Sequence, residues 1–362
     1  MTVSCLPKGI QTCPNFNYEL LVDGIELKEF TSFNLTQTLN GLAGFSFDVG
    51  NPNGTRTNRI QGNSEIEFKA SWGNRSLKQM ILGIVKDRGF QTGTRRDISI
   101  SGTDFGDYLT RKRPWDVNYD PIPFNNESSA TIISRLVSLV SELNLRMNRK
   151  KIDPKFSILT DPTQNVVLDE LKSIIEYAGY EWVINGRTVD VREPNSLDSN
   201  SSKYNLIFGS PDSYTTLPDL PNVILLSSDL DENFTNIRNK YKVDGVTGIH
   251  AIADDQQSIQ RYRGTFEGYY KDEGLTSVQS CYQVARELSR INGYPKINIT
   301  CAFRGNIDLK VGDVVYVGDN GGTFSMLDNQ YLRVVSVNHS FGSRWMTSVQ
   351  LGSLQKTLVD LI

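Results

Sequence analysis

Gly44-Phe45-Ser46-Phe47-Asp48-Val49 sets an apolar side chain at every second position. That period of two marks a strand with one buried and one solvated face. The same alternation spreads outward from it. Upstream, Tyr18-Glu19-Leu20-Leu21-Val22 runs into Asp23-Gly24, the strongest short hairpin signal, and on into Ile25-Glu26-Leu27-Lys28-Glu29-Phe30. Ser32-Phe33-Asn34-Leu35-Thr36 follows the same pattern. Downstream, Asn51-Pro52-Asn53-Gly54 is a turn and Glu65-Ile66-Glu67-Phe68-Lys69-Ala70 alternates again. Residues 80–85 and 96–101 bracket a turn near 89–94. About seven short strands with regular turns predict a small sandwich or barrel over residues 16–110.

The period then changes. Pro114, Pro121 and Pro123 punctuate the boundary. Ser128-Ser129 offers an N-cap for Ile132, Ile133, Leu136, Val137, Leu139, Val140 and Leu143, which follow helical spacing. A second helix runs from about Asn165 to Ala178-Gly179, with Gly179 as its stop. Tyr180-Glu181-Trp182-Val183-Ile184, the turn Asn185-Gly186 and Thr188-Val189-Asp190-Val191 then read as a hairpin, and Asp198-Ser199-Asn200-Ser201-Ser202 as a polar linker. Strands return at residues 223–226 and 239–243. A helix fits 276–291, with Val278, Tyr282, Ala285 and Leu288 on one face. Strands resume at 296–303, 313–317, 331–338 and 345–351, and 354–362 fits a short helix.

Two regions resemble each other. Gly62-Asn63-Ser64-Glu65-Ile66-Glu67-Phe68 is matched by Gly312-Asp313-Val314-Val315-Tyr316-Val317. The run from Gly83 to Phe90 is matched by that from Arg333 to Phe341, and Ser101-Gly102 by Leu351-Gly352, at an offset of about 250. Order and spacing match more than identity, which supports two related β-domains. The fold expected is mainly β with an α+β insert, built from two related small β-barrel, tube-like domains and a helix-hairpin domain. The domains are residues 1–115 (first barrel), 116–200 (helix-hairpin) and 201–362 (second barrel), the last with an inserted helical and loop segment around 245–295. Two such barrels per chain, in a trimer, would present six like units around one axis.

Composition bounds the chemistry. The chain has 362 residues, 38% of them hydrophobic, enough to bury real cores. Its 38 basic and 41 acidic residues leave a net charge of −3, which argues against a protein that binds nucleic acid by neutralising phosphates. No apolar run approaches the ~20 residues that span a bilayer, and the N-terminus lacks the apolar core of a secretory signal. Only His250 and His339 are histidines, which removes most zinc and triad chemistries. Cys5, Cys13, Cys281 and Cys301 form no Cys-x-x-Cys and read as free thiols, a Cys5–Cys13 pair being the alternative. Asp254-Asp255 and Asp229-Leu230-Asp231-Glu232 read as solvated loop carboxylates rather than a glycosidase pair. Gly318-Asp319-Asn320-Gly321-Gly322 has strands on both sides, so it reads as a hairpin and not a phosphate cradle. Arg111-Lys112-Arg113 reads as a solvated or subunit-facing cluster. His339 shares a face with Val335 and Val337 and is expected to be packed or at an interface; His250 is expected to be exposed. No catalytic, cofactor-binding or metal-binding residue is expected, and no cofactor.

Val22-Asp23-Gly24-Ile25-Glu26, Thr36-Gln37-Thr38-Leu39-Asn40-Gly41-Leu42-Ala43-Gly44-Phe45-Ser46-Phe47 and Gly83-Ile84-Val85-Lys86-Asp87 with Ile98-Ser99-Ile100-Ser101-Gly102-Thr103-Asp104 resemble the N-terminal strands of the central hub proteins of phage baseplates. Val167-Leu168-Asp169-Glu170-Leu171 with Tyr177-Ala178-Gly179-Tyr180-Glu181-Trp182 is similar to the helix-then-hairpin module of that family, and Arg286-Glu287-Leu288-Ser289-Arg290, Leu309-Lys310-Val311-Gly312-Asp313-Val314-Val315 and Val335-Ser336-Val337-Asn338-His339-Ser340 resemble its C-terminal part. The resemblance covers nearly the whole chain in order, though no single motif is specific. The resemblance implies a non-enzymatic, structural homotrimer in the virion tail baseplate, assembled in the host cytoplasm. It implies a pseudo-sixfold ring that joins the tail tube protein to a separate spike protein, with baseplate wedge proteins around it and DNA passing through the lumen without specific binding. Related hubs occur in VgrG-type spikes of contractile injection systems and at the tips of non-contractile tails. The competing reading is a tail-tip protein that degrades or binds cell-wall glycan.

Overall fold

The alternating stretches fold as strands. β1 (Phe16–Val22) and β2 (Ile25–Glu26) flank Asp23 and Gly24, whose φ values are 49° and 76°. Two left-handed residues make a type I′ turn, whose twist matches that of its strands. β3 (Phe30–Thr38), β4 (Gly44–Gly50), β5 (Glu65–Trp72), β6 (Lys78–Phe90) and β7 (Asp97–Asp104) complete this first unit in the order β3-β4-β7-β6-β5-β1-β2. Phe45, Phe47 and Val49 point inward from β4, as their spacing predicts. Phe33 and Phe68, from β3 and β5, stack at 3.9 Å between ring centroids in the middle of this core. The structure, a computed structural model, describes residues 16–28, 30–51, 58–73, 75–90, 97–148, 153, 155–195, 200–207, 219–233, 235–245, 248–271, 278–293, 296–305, 308–318 and 330–352.

The sheet curls far enough for its two ends to meet. The Tyr18 ring of β1 and the Phe30 ring of β3 lie 5.1 Å apart, while the Leu27 N–H to Leu20 carbonyl bond at 2.8 Å carries the β1–β2 hairpin one pair further. Among the described residues no ladder joins β1 or β2 to β3, so the expected closed barrel is instead an open, rolled sheet. The reason is that the second edge of β3 is occupied by a strand from the far end of the chain, described below.

The insert begins with the one-turn helix α1 (Asp107–Thr110) and continues with β8 (Pro123–Ser128), α2 (Ser129–Ser138), β9 (Asn144–Met147), β10 (Lys155–Leu159), α3 (Val167–Tyr177), β11 (Glu181–Asn185) and β12 (Thr188–Arg192). Ser128 caps α2 by accepting from the Thr131 N–H at 3.3 Å. Ile132, Ile133, Leu136 and Val137 share one core with Leu171, Ile174 and Ile175 of α3. Gly179, at φ 68°, stops α3. The β11–β12 turn is Gly186-Arg187, one residue later than expected, because Asn185 is still paired with Thr188.

The last third holds β13 (Ser202–Ile207), β14 (Asn222–Ile224), β15 (Ser227–Asn233), β16 (Lys240–Asp244), β17 (His250–Asp254), α4 (Gln256–Tyr262), β18 (Glu267–Lys271), α5 (Val278–Asn292), β19 (Lys296–Arg304), β20 (Val314–Gly318), β21 (Gln330–Phe341) and β22 (Trp345–Gly352). The segment expected to be helices and loops around 245–295 contains more order than that. β17, β16 and β18 form a three-stranded sheet, and α5 packs on it around Val243, Ala251, Ala253, Cys281, Val284 and Ala285. The buried face of α5 is rotated from the one expected, keeping Ala285 and Leu288 but not Val278 and Tyr282. Val278 and Tyr282 are exposed, whereas Cys281, Val284, Ala285 and Ser289 are buried. Small side chains let the helix lie close to Ala251 and Ala253, and Ser289 satisfies its hydroxyl on the Ala285 and Ala253 carbonyls. Cys5, Cys13, the turn after Asn51, the turn after Phe90, linker residues 198–199, the loop after Gly318 and the helix expected at 354–362 lie outside the described residues.

The repeat is a repeat of topology. The orders β3-β4-β7-β6-β5 and β15-β19-β22-β21-β20 are the same, and every pair in both is antiparallel. β6 bulges against β7 between Val85 and Asp87, and β21 bulges against β22 between Val334 and Ser336. The turn leading into β5 or β20 is also the same. The Asn63 N–H donates to the Val85 carbonyl and the Val85 N–H to Ser64; the Gly312 N–H donates to Val334 and the Val334 N–H to Asp313. The Ser64 hydroxyl accepts from the Gln61 N–H at 3.0 Å, as the Asp313 carboxylate does from Lys310 at 2.8 Å. Asn63 and Gly312 both have left-handed φ, 65° and 81°. The equivalence therefore runs Asn63 to Gly312, an offset of 249, and not Gly62 to Gly312. Asn and Gly are the residues that adopt this conformation most readily. β15 and β19 correspond to β3 and β4, so residues 234–295 are an insertion into a connection that takes only residues 39–43 in the first unit.

Candidate functional site

β21 is long because it serves two units. Gln330–Arg333 pair with β20, Arg333–Phe341 with β22, and Ser336–Phe341 with β3 in the register Ser336 to Thr38, His339 to Leu35 and Phe341 to Phe33. The Leu39 N–H extends this ladder to the Val335 carbonyl at 2.8 Å. The next residue, Asn40, turns to the insert: its N–H donates to the Trp182 carbonyl, and its side-chain oxygen accepts from the Trp182 N–H at 2.8 Å. The first unit, the β11–β12 hairpin and the second unit thus meet at one junction.

Charges sit at its centre. Arg333 and Glu181 are almost fully buried, with side chains 1% and 3% exposed, and form an ion pair. Arg192 reaches the other Glu181 oxygen at 2.8 Å and the Val311 carbonyl at 3.1 Å, while Arg333 also donates to the Asn195 carbonyl. Burial pushes the Glu181 carboxyl up, and the two guanidiniums pull it back. Arg333 stays charged, because burial lowers its affinity for a proton from a value too high for loss at ordinary pH. The Gly312 turn closes over this group. A Cβ at that position would collide with the Arg192 guanidinium and come within 2.9 Å of the Glu181 carboxylate.

Two further titratable groups lie next to the junction. Asp104 accepts the Ala43 N–H at 2.6 Å and the Gly106 N–H at 2.9 Å. Burial raises its carboxyl to about 7, against the pull of those two N–H groups. His339 is 1% exposed. Trp345 donates its indole N–H to His339 Nδ1 at 3.2 Å, and Thr347 Oγ1 lies 2.9 Å from the same nitrogen. An indole N–H only donates, so the proton of the neutral ring is on Nε2. Burial pushes the imidazole down to about 3. A cavity of about 190 Å³ opens beside Asp104, Arg146, Asp190, Arg192, Lys310 and His339. Arg146 holds Asp190 through two contacts, at 2.9 and 2.5 Å. A carboxyl near 7 and an imidazole on one cavity suggest acid–base chemistry, but no hydrogen bond joins Asp104 to His339 among those described. Here Asp104 Oδ2 fixes the β3–β4 connection at Ala43 and Oδ1 the entry to α1 at Gly106, and His339 Nδ1 fixes the β21–β22 end. The bonds described at the junction hold three segments of chain together.

The residues singled out in the sequence are dispersed. His339 is packed and His250 is exposed, as expected, with His250 at the start of β17. Asp229 to Glu232 lie in β15, paired with β19, and not in a loop. Asp255 caps α4 by accepting from the Ser258 N–H at 3.1 Å. Arg111 is held by Asp107 at 2.5 Å and Asn63 at 2.9 Å, and Arg113 donates to the Asn165 carbonyl, so the basic cluster is partly committed to internal bonds. Cys281 and Cys301 are buried free thiols, with the Cys301 thiol pushed up to about 12 by burial. Among the described residues no three His, Cys, Asp or Glu side chains gather as a metal site requires, and no helix is long and apolar enough to cross a membrane. The Glu181–Arg333 pair escaped sequence reading because its members are 152 residues apart. A charge placed beside Leu332 and Val334 in a core strand was the available signal.

No family model matches the chain, and no curated protein matches it significantly. Solved structures do. A tail protein from Neisseria meningitidis MC58 superposes with a TM-score of 0.69 at 13% identity, over 96% of this chain and 99% of that one. The 43 kDa tail protein of prophage MuSo2 from Shewanella oneidensis gives 0.69 at 13% identity, over 95% and 99%. The E. coli c3393 protein, a type VI secretion component similar to the T4 tail proteins gp27 and gp5, gives 0.58 at 9% identity, over 94% and 78%. The chain therefore has the fold of these phage tail and type VI secretion proteins, as its resemblance to the baseplate hub family implies.

Proposed function

We propose that this chain is the structural hub of a phage tail baseplate or a related contractile injection system. In this reading it acts as a homotrimer whose six like units form a pseudo-sixfold ring between the tail tube and the central spike. The observation that carries the proposal is the duplicated five-strand unit, with its two copies fused edge to edge through β3 and β21. Two equivalent units in one chain are what a threefold body needs to meet a sixfold one. Solved relatives described as phage tail proteins and as a type VI secretion component support the same role.

The units are residues 1–115 and 201–362, with 116–200 as the α+β domain on the outside, facing wedge proteins. The work is mechanical and non-enzymatic, requires no cofactor, and takes place in the virion tail after assembly in the host cytoplasm. DNA passes through the lumen without specific contacts. Light scattering or native mass spectrometry tests the proposal, with a trimer expected at micromolar concentration or on addition of tube or spike partner. A monomer under all those conditions overturns it. Lysis of cell walls that is lost on replacing one carboxylate would favour the glycan-degrading alternative instead.

A further inference from the structure

The junction inside the chain specifies where a second copy should bind. β21 gives the edge beyond its bulge to β3 of the other unit. β6 is the equivalent of β21, and among the described residues no strand ladders with its corresponding stretch on that edge, where the Arg88 side chain donates to the Ile60 carbonyl. β6 pairs with β7 as far as Phe90, but with β5 only at residues 78–84. Lys86 to Phe90 are all exposed. Phe90 is 51% exposed, whereas His339, its equivalent at an offset of 249, is 1% exposed where β21 pairs with β3. Among the described residues β15, the equivalent of β3, pairs with β19 alone. The missing half of each junction is thus present elsewhere on the same molecule, as two separate strand edges. Such edges invite pairing with another chain.

The register follows from the repeat. Leu35 pairs with Phe45 and Phe45 with Gly102; Leu230 pairs with Ile299 and Ile299 with Leu351. Gly102 and Leu351 face the equivalent residues Val85 and Val334, so Leu35 corresponds to Leu230. Resting on the homotrimer reading, we infer that residues 87–90 of one copy form an antiparallel ladder with β15 of the next, with Asp87 opposite Asn233, Gly89 opposite Asp231 and Phe90 opposite Leu230. This contact is head-to-tail and repeats around a closed ring.

Cysteine cross-linking tests this register. The Leu39 N–H to Val335 bond fixes the alternation of the internal ladder, which makes Asn338 opposite Thr36 a non-hydrogen-bonded pair. Gly89 and Asp231 are its counterparts, and Cβ atoms in such pairs are near enough for a disulfide. A Cβ on Gly89 meets nothing nearer than Ser99 at 3.7 Å. With Cys5 and Cys13 replaced by Ser, the Gly89→Cys, Asp231→Cys chain should form reducible dimers and trimers under mild oxidation. Asp87→Cys, Asn233→Cys should do the same, in case the first pair folds poorly. Gly89→Cys, Glu232→Cys places one thiol on the opposite sheet face and should stay uncross-linked. A trimer by mass in which neither matched pair cross-links overturns this interface and leaves the homotrimer standing. A protein that is monomeric by mass and uncross-linked overturns both.

Discussion

Asp104 and His339 line the same cavity and respond to acid with opposite signs. The folded chain holds His339 neutral down to about 3, while the unfolded chain takes up a proton near 6.5. Below 6.5 the unfolded state therefore binds the extra proton, and folding stability falls by about 1.4 kcal/mol per pH unit until about pH 3. Asp104 is raised to about 7 in the folded chain from 3.8. There the folded state binds the extra proton, so its contribution grows as pH falls from 7 towards 3.8, at a similar slope. Between pH 6.5 and 5 the two effects cancel in the parent protein. His339→Gln removes one of them, and its stability relative to the parent should rise by about 2 kcal/mol over that interval. Denaturant melts at several pH values check this; parallel profiles for parent and variant would refute the assignment. The burial of His339 was legible from Val335 and Val337 on its face of the strand, whereas that of Asp104 was not. Asp104 simply ends an alternating strand, and its burial is set by the β3–β4 connection folding over it.

Among elements, the β20 turn and the β11–β12 hairpin depend on each other through Gly312, Glu181, Arg192 and Arg333. Gly312→Val forces a β-branched residue to φ 81°, at a cost of about 1–3 kcal/mol, and drives its side chain into the Arg192–Glu181 pair. It should destabilise more than His339→Gln at neutral pH. Asn63→Gly, at the equivalent turn, should be nearly neutral in denaturant melts, because its backbone conformation suits glycine. Glu181→Ala strands the buried Arg333 charge and should cost roughly 3–5 kcal/mol, whereas replacing Glu181 and Arg333 together by apolar residues should cost much less. A double-mutant cycle measures that difference, and additive costs would show that the pair is not coupled. Elements of the first unit were legible because Phe45, Phe47, Val49, Ile66 and Phe68 mark one sheet face. The β16–β17 hairpin and the phase of α5 were not, because their core is made of Ala251, Ala253, Cys281, Ala285 and Ser289. Small side chains carry little hydrophobic signal, and they bury well only once a helix and a sheet are brought close together.

Across the whole molecule, the repeat separates the duplicated five-strand units from what is added to them. Residues 234–295 interrupt a connection that the first unit makes with residues 39–43 alone. β15 and β19 remain paired up to Asn233 opposite Lys296, so the two ends of the insertion meet as a hairpin would. The Arg238 N–H donates to the Asn292 carbonyl at 2.7 Å, just beyond that point, and the core around Val243 and Cys281 is a separate cluster from the one around Val337 and Val349. Little apolar burial in the β-unit therefore depends on the insertion. Replacing residues 235–294 with a short Asn-Gly turn should leave a chain that unfolds cooperatively, with a melting temperature within several degrees of the parent, and that keeps the parent's oligomeric mass. Circular dichroism melts and light scattering on the shortened chain measure both. Loss of cooperative unfolding would mean that the insertion supports the β-unit. A well-folded chain that no longer associates would place the contact between copies on the insertion and not on β6 and β15.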